Sequence, residues 1–293
     1  MSRIVLLFLM ILWLPLAQAD LKNLKPTQYQ VNGVSLAAVE VGNPEGEPVL
    51  MVMGLGSSYL LWGDPLVDGL VEQGYRVVLF DNRDVGASQR MDHLGDPVLW
   101  WELLKNELGF SVSAAYQLSD MADDAVVLLD QLGIEKAHVV GASMGGMIAQ
   151  IISYRHPERV KSLVSIMSTS GAAHLPEPTP EAMESLQSAS SSTDDALLES
   201  NERGFWPQGV PRQMMAILAA GDRSNDIQRI NVQSLILHGK DDGLLPLAHG
   251  EHTHKLIPDS TLVVYEGMGH NLPKQVVPKM VVDIARHIQA TQG

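Results

Sequence analysis

The 293-residue sequence contains no cysteine, which excludes disulfides, thiolate metal sites and a cysteine nucleophile. Basic residues are also scarce, because 20 Lys and Arg stand against 34 Asp and Glu and give a formal charge of −14. This charge repels nucleic acid and anionic membrane surfaces, so no nucleic-acid partner is expected. The 45% of hydrophobic residues is typical of a globular chain. Chemistry therefore has to come from Ser, His, Asp, Glu or backbone groups.

The N-terminal segment lacks an apolar run of the roughly 18 residues that a membrane-spanning helix requires. Its run from Ile4 to Leu14 stops well short of that length, follows Arg3 and precedes the small-residue sequence Ala17-Gln18-Ala19. This order predicts a secretory signal peptide over residues 1–19. We expect an exported protein, periplasmic or extracellular, with no stable membrane anchor after cleavage.

From about residue 49 onward, continuous apolar segments alternate with helical ones. This alternation predicts an α/β fold, with a mostly parallel sheet flanked by helices. Before it, the segment from Tyr29 to Val41 surrounds Asn32-Gly33, a turn that predicts an antiparallel first pair of strands. Further strands are predicted at Val49–Met53, Arg76–Phe80, Ala137–Val140, Val160–Met167, Ser234–Leu237 and Thr261–Tyr265. Arg76–Phe80 is expected to lead into a polar loop.

The alternation stops in residues 171–230, which contain several prolines and a serine tract. Two helical pieces are predicted there, at Asp195–Glu202 and Pro211–Ala220. We interpret this stretch as a small helical cap inserted after the sixth strand. The α/β core then comprises residues 20–170 and 231–293.

The sequence Gly141-Ala142-Ser143-Met144-Gly145 fits G-x-S-x-G, the nucleophile elbow that presents a serine hydroxyl above a sheet edge. Its glycines fit because side chains there would collide with the sharp turn. A predicted strand precedes the pattern and a predicted helix, Met144–Tyr154, follows it, which is the context that the motif requires. Ser143 is therefore the candidate nucleophile. The alternative is a helix N-cap serine among close-packing glycines.

A serine nucleophile needs a base that is held by an acid, and both are expected after later strands of the sheet. His270 follows the last predicted strand, and Asp242 follows the strand that ends at Leu237-His238. Ser143, Asp242 and His270 are thus expected to meet at one sheet edge. Position favours Asp242 as the acid, and the neighbouring Asp241 is the alternative.

A tetrahedral intermediate requires two backbone N–H donors for its oxyanion. Met144, directly after the candidate nucleophile, is predicted to supply one, and Leu55 in the Gly54-Leu55-Gly56 loop the other. These glycines do not predict a phosphate site, because neither a Lys-Ser/Thr pair nor the full G-x-G-x-x-G spacing follows.

Substrate contacts are predicted at four positions, Gly54, Phe205, Trp206 and Met214. For the aromatic and methionine residues of the cap, packing of cap against core is an equal explanation, and the same holds for Trp100-Trp101.

No cofactor and no metal are expected. His249, His252 and His254 lie close in sequence, but on a helix His254 points away from His252, so three ligands do not converge. The sequence from Asp81 to Gly86 is interpreted as a structural turn in which Arg83 and the acidic residues pair near the surface, rather than as a substrate clamp.

Further segments accompany the elbow over almost the whole chain after residue 20, namely Pro48–Gly56, Tyr75–Ser88, His156–Val160, Leu235–Leu245 and Gly267–Pro273. With them, the sequence resembles the aclacinomycin-methylesterase-like branch of bacterial α/β-hydrolases. The resemblance implies the α/β-hydrolase fold and a serine hydrolase of esters, with Ser143 as nucleophile, His270 as base and Asp242 as orienting acid.

The chain departs from this family pattern at two positions near the expected site. Met53 stands where many relatives carry His, so the hydrogen bond behind the oxyanion loop is absent or different. Gly243 replaces a common Pro and is expected to loosen the loop of Asp242.

We expect a carboxylesterase-like enzyme that acts on a small, hydrophobic ester through an acyl-serine intermediate. The alternatives are peroxide-dependent, lactone, amide or carbon–carbon chemistry on the same fold, or a non-catalytic ligand-binding protein.

Overall fold

The computed structural model describes residues 20–190, 201–202 and 204–291, so the predicted leader lies outside the described residues. Within these residues, eight strands form one sheet in the order β1-β2-β4-β3-β5-β6-β7-β8. The pairs β1–β2 and β2–β4 are antiparallel, and every other neighbouring pair is parallel. The strands are β1 (Thr27–Val31), β2 (Val34–Gly42), β3 (Pro48–Val52), β4 (Arg76–Phe80), β5 (Ala137–Ala142), β6 (Val160–Ile166), β7 (Ser234–Gly239) and β8 (Thr261–Tyr265).

Helices cover both faces of this sheet. Those of nine or more residues are α1 (Asp64–Glu72), α2 (Leu99–Glu107), α3 (Leu118–Gln131), α4 (Met144–Arg155), α5 (Pro180–Ser190), α6 (Val210–Ala220), α7 (Ala248–Leu256) and α8 (Val277–Ala290), and a single helical turn at Ser224–Ile227 precedes β7. The buried apolar residues of α3 and α4 belong to one core cluster, and those of α1 and α8 belong to the other. The predicted mostly parallel α/β sheet is therefore confirmed.

The first hairpin forms as its turn residues predict. Asn32 and Gly33 have φ values of 46° and 80°, which is the backbone that a two-residue turn between antiparallel strands requires. In the parallel part, every residue of β5 is buried, because helices cover it on both sides.

The segment after β4 differs from its prediction as a polar loop. It contains α2, and Trp100 and Trp101 on this helix are 69% and 48% exposed. Packing of this pair into the core, which the sequence favoured as much as a pocket role, is therefore wrong. No helix of the described residues is long and apolar enough to span a membrane.

The predicted cap region lies between β6 and β7 and contains α5 and α6 in its described parts. The predicted helix Pro211–Ala220 is confirmed by α6. Most of the other predicted piece, Asp195–Glu202, lies outside the described residues.

Candidate active site

Ser143 occupies the turn between β5 and α4 with φ 55° and ψ −121°. A positive φ is strained for a residue with a side chain, so neighbouring groups have to hold the turn. The Ser143 N–H donates to Ile166 O at 2.9 Å, and Ser168 Oγ donates to Ser143 O at 2.8 Å. Ile166 is the last residue of β6, the strand beside β5 in the sheet, and Ser168 comes two residues after it.

The two glycines of the pattern are required by close backbone contacts. A β-carbon on Gly141 would lie 2.1 Å from Gly145 O, and one on Gly145 would lie 2.0 Å from Val52 O. Helix α4 can therefore approach β3 and β5 only with glycine at these positions, as the pattern predicts.

His270 lies between Ser143 and Asp242 and is hydrogen-bonded to both. Its Nε2 is 2.9 Å from Ser143 Oγ, and its Nδ1 is 2.9 Å from Asp242 Oδ2. An ionised carboxylate only accepts hydrogen bonds, so Nδ1 carries the proton and Nε2 is free to accept the serine O–H. The three side chains follow β5, β8 and β7, whose carboxyl ends share one edge of the sheet.

The structure brings Asp242, and not Asp241, to the histidine. The Asp242 side chain is fully buried, and its Oδ1 accepts the N–H groups of Leu244 and Leu245 at 3.0 and 2.9 Å. Asp241 is exposed, and its Oδ2 accepts the Gly267 N–H at 2.9 Å. The alternative acid is thus occupied in bracing the loop before His270.

A second histidine, His238, lies 3.7 Å from Asp242 Oδ2 through its Nε2. Burial lowers the pKa of His238. The neutral ring donates its Nε2–H to Leu245 O at 2.8 Å. His238 thus stabilises the loop that carries Asp242 without placing a positive charge beside the carboxylate.

The predicted oxyanion donors lie on either side of Ser143. Leu55 follows β3 and Met144 begins α4, and both residues line the same cavity as Ser143. Among the described residues, neither of their N–H groups donates to another protein atom. Gly54 packs against the serine, since a β-carbon there would lie 3.1 Å from Ser143 Cβ.

Two buried amides hold Met53 and the loop Gly54-Leu55-Gly56 that follows it. Asn82 Nδ2 donates to Met53 O at 3.0 Å. Gln213 Oε1 accepts the Gly56 N–H at 2.7 Å, and its Nε2 donates to Arg83 O at 2.9 Å. The hydrogen bond that Met53 does not make is therefore replaced by side chains from β4's loop and from α6. No local sequence pattern marks Gln213 as part of the site, and Asn82 belongs to the turn that the sequence assigned a structural role.

Asp81 connects the chain after this loop to the turn after β4. Its carboxylate oxygens accept the N–H groups of Tyr59 and Ala87 at 3.0 and 2.8 Å. Burial raises the pKa of Asp81, and these hydrogen bonds oppose the rise. Burial, with the charge of Asp81, also raises the pKa of Tyr59 to about 12.

A cavity of about 530 Å³ opens beside Ser143 and His270. The predicted pocket residues Gly54, Phe205 and Met214 line it. Six methionines contribute to its wall, namely Met53, Met144, Met147, Met167, Met183 and Met214. Among the described residues, the lining includes no Lys, Arg, Asp or Glu, so this part of the wall suits an uncharged apolar group.

One prediction for the cap is wrong. Trp206 does not line the cavity; its backbone N–H instead donates to Gly56 O at 2.6 Å. The cap also reaches the loop of Asp242, because the Gly243 carbonyl accepts the Thr179 N–H at 2.7 Å. The cap therefore contacts both the loop after β3 and the loop after β7.

The turn from Asp81 to Gly86 is structural, as predicted, but its ion pair is buried rather than near the surface. Arg83 Nε lies 2.8 Å from Asp124 Oδ2, and both side chains are less than a tenth exposed. Asp84 receives two hydrogen bonds from Arg212 of α6, at 2.8 and 2.9 Å. The Asp84–Arg212 pair thus connects the turn to the cap, and the Arg83–Asp124 pair connects it to α3. None of these four residues lines the cavity.

The three nearby histidines have separate partners. His249 bonds Thr169, His252 bonds Ser170 and His254 bonds Ser260. The described residues contain no group of three or more ligand side chains that could hold a metal ion.

Comparisons with known proteins match this architecture. The sequence model of the family described as alpha/beta hydrolase fold matches residues 47–206. Rhodomycin D methylesterase DnrP from Streptomyces peucetius is 26% identical over 312 residues, covering 90% of this chain and 99% of that protein. The chain therefore belongs to the α/β-hydrolase family.

Solved structures show the same fold. The esterase RhEst1 from Rhodococcus sp. ECU1013 matches with a TM-score of 0.71 and 18% identity, covering 90% of this chain and 98% of that one. The meta-cleavage product hydrolase CumD from Pseudomonas fluorescens IP01 matches with a TM-score of 0.69 and 22% identity, covering 92% and 99%. At 22% and 18% sequence identity, these structures show that the chain shares their fold and nothing more.

Proposed function

We propose that the protein is a serine hydrolase that cleaves a carboxylic ester through an acyl-Ser143 intermediate. One observation carries this proposal: His270 is hydrogen-bonded to Ser143 on one side and to buried Asp242 on the other, beside an apolar cavity. The similarity to a methylesterase over almost the whole chain supports ester chemistry.

In the acylation step, His270 Nε2 takes the hydroxyl proton as Ser143 Oγ attacks the ester carbonyl. The carbonyl oxygen becomes an oxyanion and accepts hydrogen bonds from the Leu55 and Met144 N–H groups. Asp242 fixes the ring orientation and stabilises the imidazolium. The intermediate then collapses, the alcohol leaves with the proton from His270, and the acyl group stays on Ser143.

In the deacylation step, water enters where the alcohol has left. His270 Nε2 removes a proton from this water, which attacks the acyl carbon. The same two N–H groups hold the second oxyanion. Collapse releases the carboxylic acid and returns the proton to Ser143 Oγ, so no cofactor is consumed.

The substrate is a hydrophobic ester. Methionine side chains have three rotatable bonds and a polarisable sulfur, so a wall rich in methionine adapts to apolar groups of different shape. The described part of the lining has no Lys or Arg that would hold a carboxylate, and a charged acyl group would lose its hydration there without a partner.

The proposal is tested by the pre-steady-state release of p-nitrophenol from p-nitrophenyl esters of increasing chain length. We expect either rapid turnover or a burst equal to the enzyme concentration, with longer apolar chains preferred. Ser143→Ala should abolish both, whereas Ser224→Ala, a serine outside the cavity lining, should change neither.

A Ser143-dependent reaction with thioesters, amides, lactones, peroxide or carbon–carbon substrates, and none with esters, would overturn the bond type but not the nucleophile. Full activity of Ser143→Ala would overturn both. No reaction with any of these substrates would favour ligand binding instead.

The proposal extends to export of the protein after removal of residues 1–19. It rests on the order of charge, apolar run and small residues at the N-terminus. Mass spectrometry of the protein from fractionated cells should find Asp20 as the first residue outside the cytoplasm; a cytoplasmic protein that retains Met1 or Ser2 would contradict export.

A further inference from the structure

The backbone carbonyl oxygen of Ser143 accepts hydrogen bonds from three donors of the described chain. Two are the N–H groups of Gly146 and Met147, at 2.9 and 3.2 Å, which lie in the first turn of α4. The third is the side chain of Ser168, whose Oγ donates to Ser143 O at 2.8 Å. A carbonyl at the start of a helix already accepts N–H groups of the helix, so the Ser168 hydroxyl is an additional donor.

This carbonyl belongs to the peptide group that carries one of the proposed oxyanion donors. The Ser143 C=O and the Met144 N–H are the two ends of one planar, resonance-coupled unit. A hydrogen bond accepted by the oxygen polarises this unit and makes its N–H a stronger donor. It also fixes the plane of the peptide and therefore the direction of the N–H. Ser168 itself does not line the cavity, so its effect on the site passes through this peptide group.

The position of Ser168 explains a glycine that the elbow pattern does not. Gly146 lies outside G-x-S-x-G, and the motif alone does not require it. A β-carbon on Gly146 would lie 2.5 Å from Ser168 Cβ and 2.7 Å from Ser168 Oγ. A side chain there would therefore push the hydroxyl away from Ser143 O.

The loop that carries Ser168 is held on both sides of this residue. Met167 has φ 41°, a strained value for a residue with a side chain, and its N–H donates to Leu237 O at 2.8 Å. After Ser168, Arg223 Nη2 donates to Thr169 O at 2.7 Å, and Arg223 is only 5% exposed. Strained backbone persists only where neighbouring groups maintain it, and such positions cluster at active sites. Here they fix the hydroxyl that contacts the nucleophile's own carbonyl.

We propose that Ser168 is a positioning residue for the hydrolysis, because its hydroxyl strengthens and directs the Met144 N–H that binds the oxyanion. This inference rests on the proposed function, in which Ser143 attacks a carbonyl whose oxygen becomes negatively charged. A hydrogen bond to an anion is stronger than one to a neutral carbonyl. The Ser168 hydroxyl therefore stabilises the transition state more than the bound ester, so it affects kcat more than KM.

The first part of the test compares Ser168→Ala with Ser153→Ala. Ser153 is a matched control, because it is also buried and its Oγ donates to a backbone carbonyl, Ala149 O, at 2.8 Å within α4. We expect Ser168→Ala to lower kcat for a p-nitrophenyl ester about three- to tenfold, with KM within about twofold, as for the loss of one hydrogen bond. Ser153→Ala should change neither constant. Thermal unfolding of both variants measures the general loss of stability.

The second part measures the oxyanion itself with a trifluoromethyl ketone that carries the acyl chain of the ester. Ser143 Oγ adds to the ketone carbon, its proton passes to His270, and the former carbonyl oxygen becomes the hemiketal oxygen. A weaker Met144 donor stabilises the hemiketal anion less. The pKa of the hemiketal, followed by fluorine NMR, should therefore lie about 0.5–1 pH unit higher in Ser168→Ala than in the unaltered protein. A tenfold loss in kcat corresponds to one pH unit, so the two effects should agree.

An unchanged hemiketal pKa in Ser168→Ala would overturn this inference even if activity fell, because the serine would then only stabilise its loop. An equal rise in Ser153→Ala would also overturn it, since loss of any buried hydroxyl near α4 would then have the same effect. If the unaltered protein forms no hemiketal and shows no Ser143-dependent release of p-nitrophenol, the proposed function and this inference fall together.

Discussion

Asp241 and Asp242 are adjacent in the chain but do different work. Asp242 is buried and directs one oxygen to His270 Nδ1 and the other to two backbone N–H groups. Asp241 is exposed and braces Gly267. Substitutions at the two neighbouring carboxyls can therefore separate the proposed catalytic role of Asp242 from an effect on loop stability.

We predict that Asp242→Asn lowers kcat by about 10³–10⁴-fold with little change in KM. The amide keeps the shape of the side chain but favours the wrong histidine tautomer, in which Nε2 no longer accepts the serine proton. Steady-state kinetics with a p-nitrophenyl ester measure this effect. Asp241→Asn is the matched control and should stay within about threefold of the unaltered protein; a larger loss there than at Asp242 would reverse the assignment.

At the residue scale, the sequence predicted the candidate site residues that directly follow strands. It missed side chains that contact the site from distant parts of the chain. Ser143, Asp242 and His270 could be located because the carboxyl ends of parallel strands meet at one edge. Gln213 contacts Gly56 across 157 residues of chain, and a glutamine within a helix carries no local signal of that contact.

At the scale of elements, the cap holds the loop that carries Leu55. Gln213 of α6 accepts the Gly56 N–H, and the backbone of Trp206 donates to Gly56 O. The Ser58 N–H in turn donates to Gly204 O at 2.8 Å. The position of the proposed oxyanion donor thus depends on an element that also forms the cavity wall.

We predict that Gln213→Met lowers kcat by about 10–100-fold and leaves KM within about threefold. Methionine fills a similar volume but leaves the Gly56 N–H without its acceptor, a loss of about 1–3 kcal/mol that shifts the loop of Leu55. Affinity for a trifluoromethyl ketone, whose tetrahedral hemiketal with Ser143 resembles the intermediate, should fall in parallel with kcat/KM.

The control for this prediction is Met215→Leu, the neighbouring buried residue of α6. It changes packing but no hydrogen bond, so kcat and inhibitor affinity should remain within about twofold. An increase in KM alone for Gln213→Met would show that the glutamine shapes the cavity and does not position the loop.

Elements also show where pattern-based prediction fails. From the sequence, a pocket and packing against the core are equal explanations for Trp100 and Trp101, and the structure shows neither: both side chains are exposed and neither lines the cavity beside Ser143. The stretch that leads into α2 is bonded to Arg212 through Asp92 and Asp96, which lie more than 100 residues from Arg212 in the chain. A pattern of apolar residues in the sequence does not indicate ion pairs between such distant segments.

At the scale of the whole molecule, a buried histidine links stability to pH. His138 of β5 is fully buried, and its Nδ1 lies 2.8 Å from Ser162 Oγ. Burial, with a smaller effect of the Lys161 charge, lowers the pKa of His138 to about 4, although Glu47 opposes this shift. His287 adds further to the lowering.

We predict that the free energy of unfolding falls as the pH decreases from about 6.5 to about 4. In this window the unfolded chain binds a proton at residue 138 and the folded chain does not, so acid favours unfolding. His138 accounts for roughly 2–3 kcal/mol of this loss, since each pKa unit corresponds to about 1.4 kcal/mol. Urea titrations at pH 7 and pH 4.5 measure it.

In the same titrations, His138→Gln should be less stable at pH 7 but lose less stability at pH 4.5. The exposed His93→Gln should follow the unaltered curve. An identical pH dependence for His138→Gln and the unaltered protein would show that other groups cause the acid sensitivity.

The contacts of the cap with Gly56 and Gly243 have a consequence for redesign and for evolution. Exchange of residues 171–230 for the cap of a relative would alter the cavity wall. It would also alter the hydrogen bonds that hold the loops of Leu55 and Asp242. We therefore expect a change in the cap to alter substrate range and turnover together. A graft that introduces a new acyl preference has to restore an acceptor for the Gly56 N–H and a donor for the Gly243 carbonyl before its specificity can be judged.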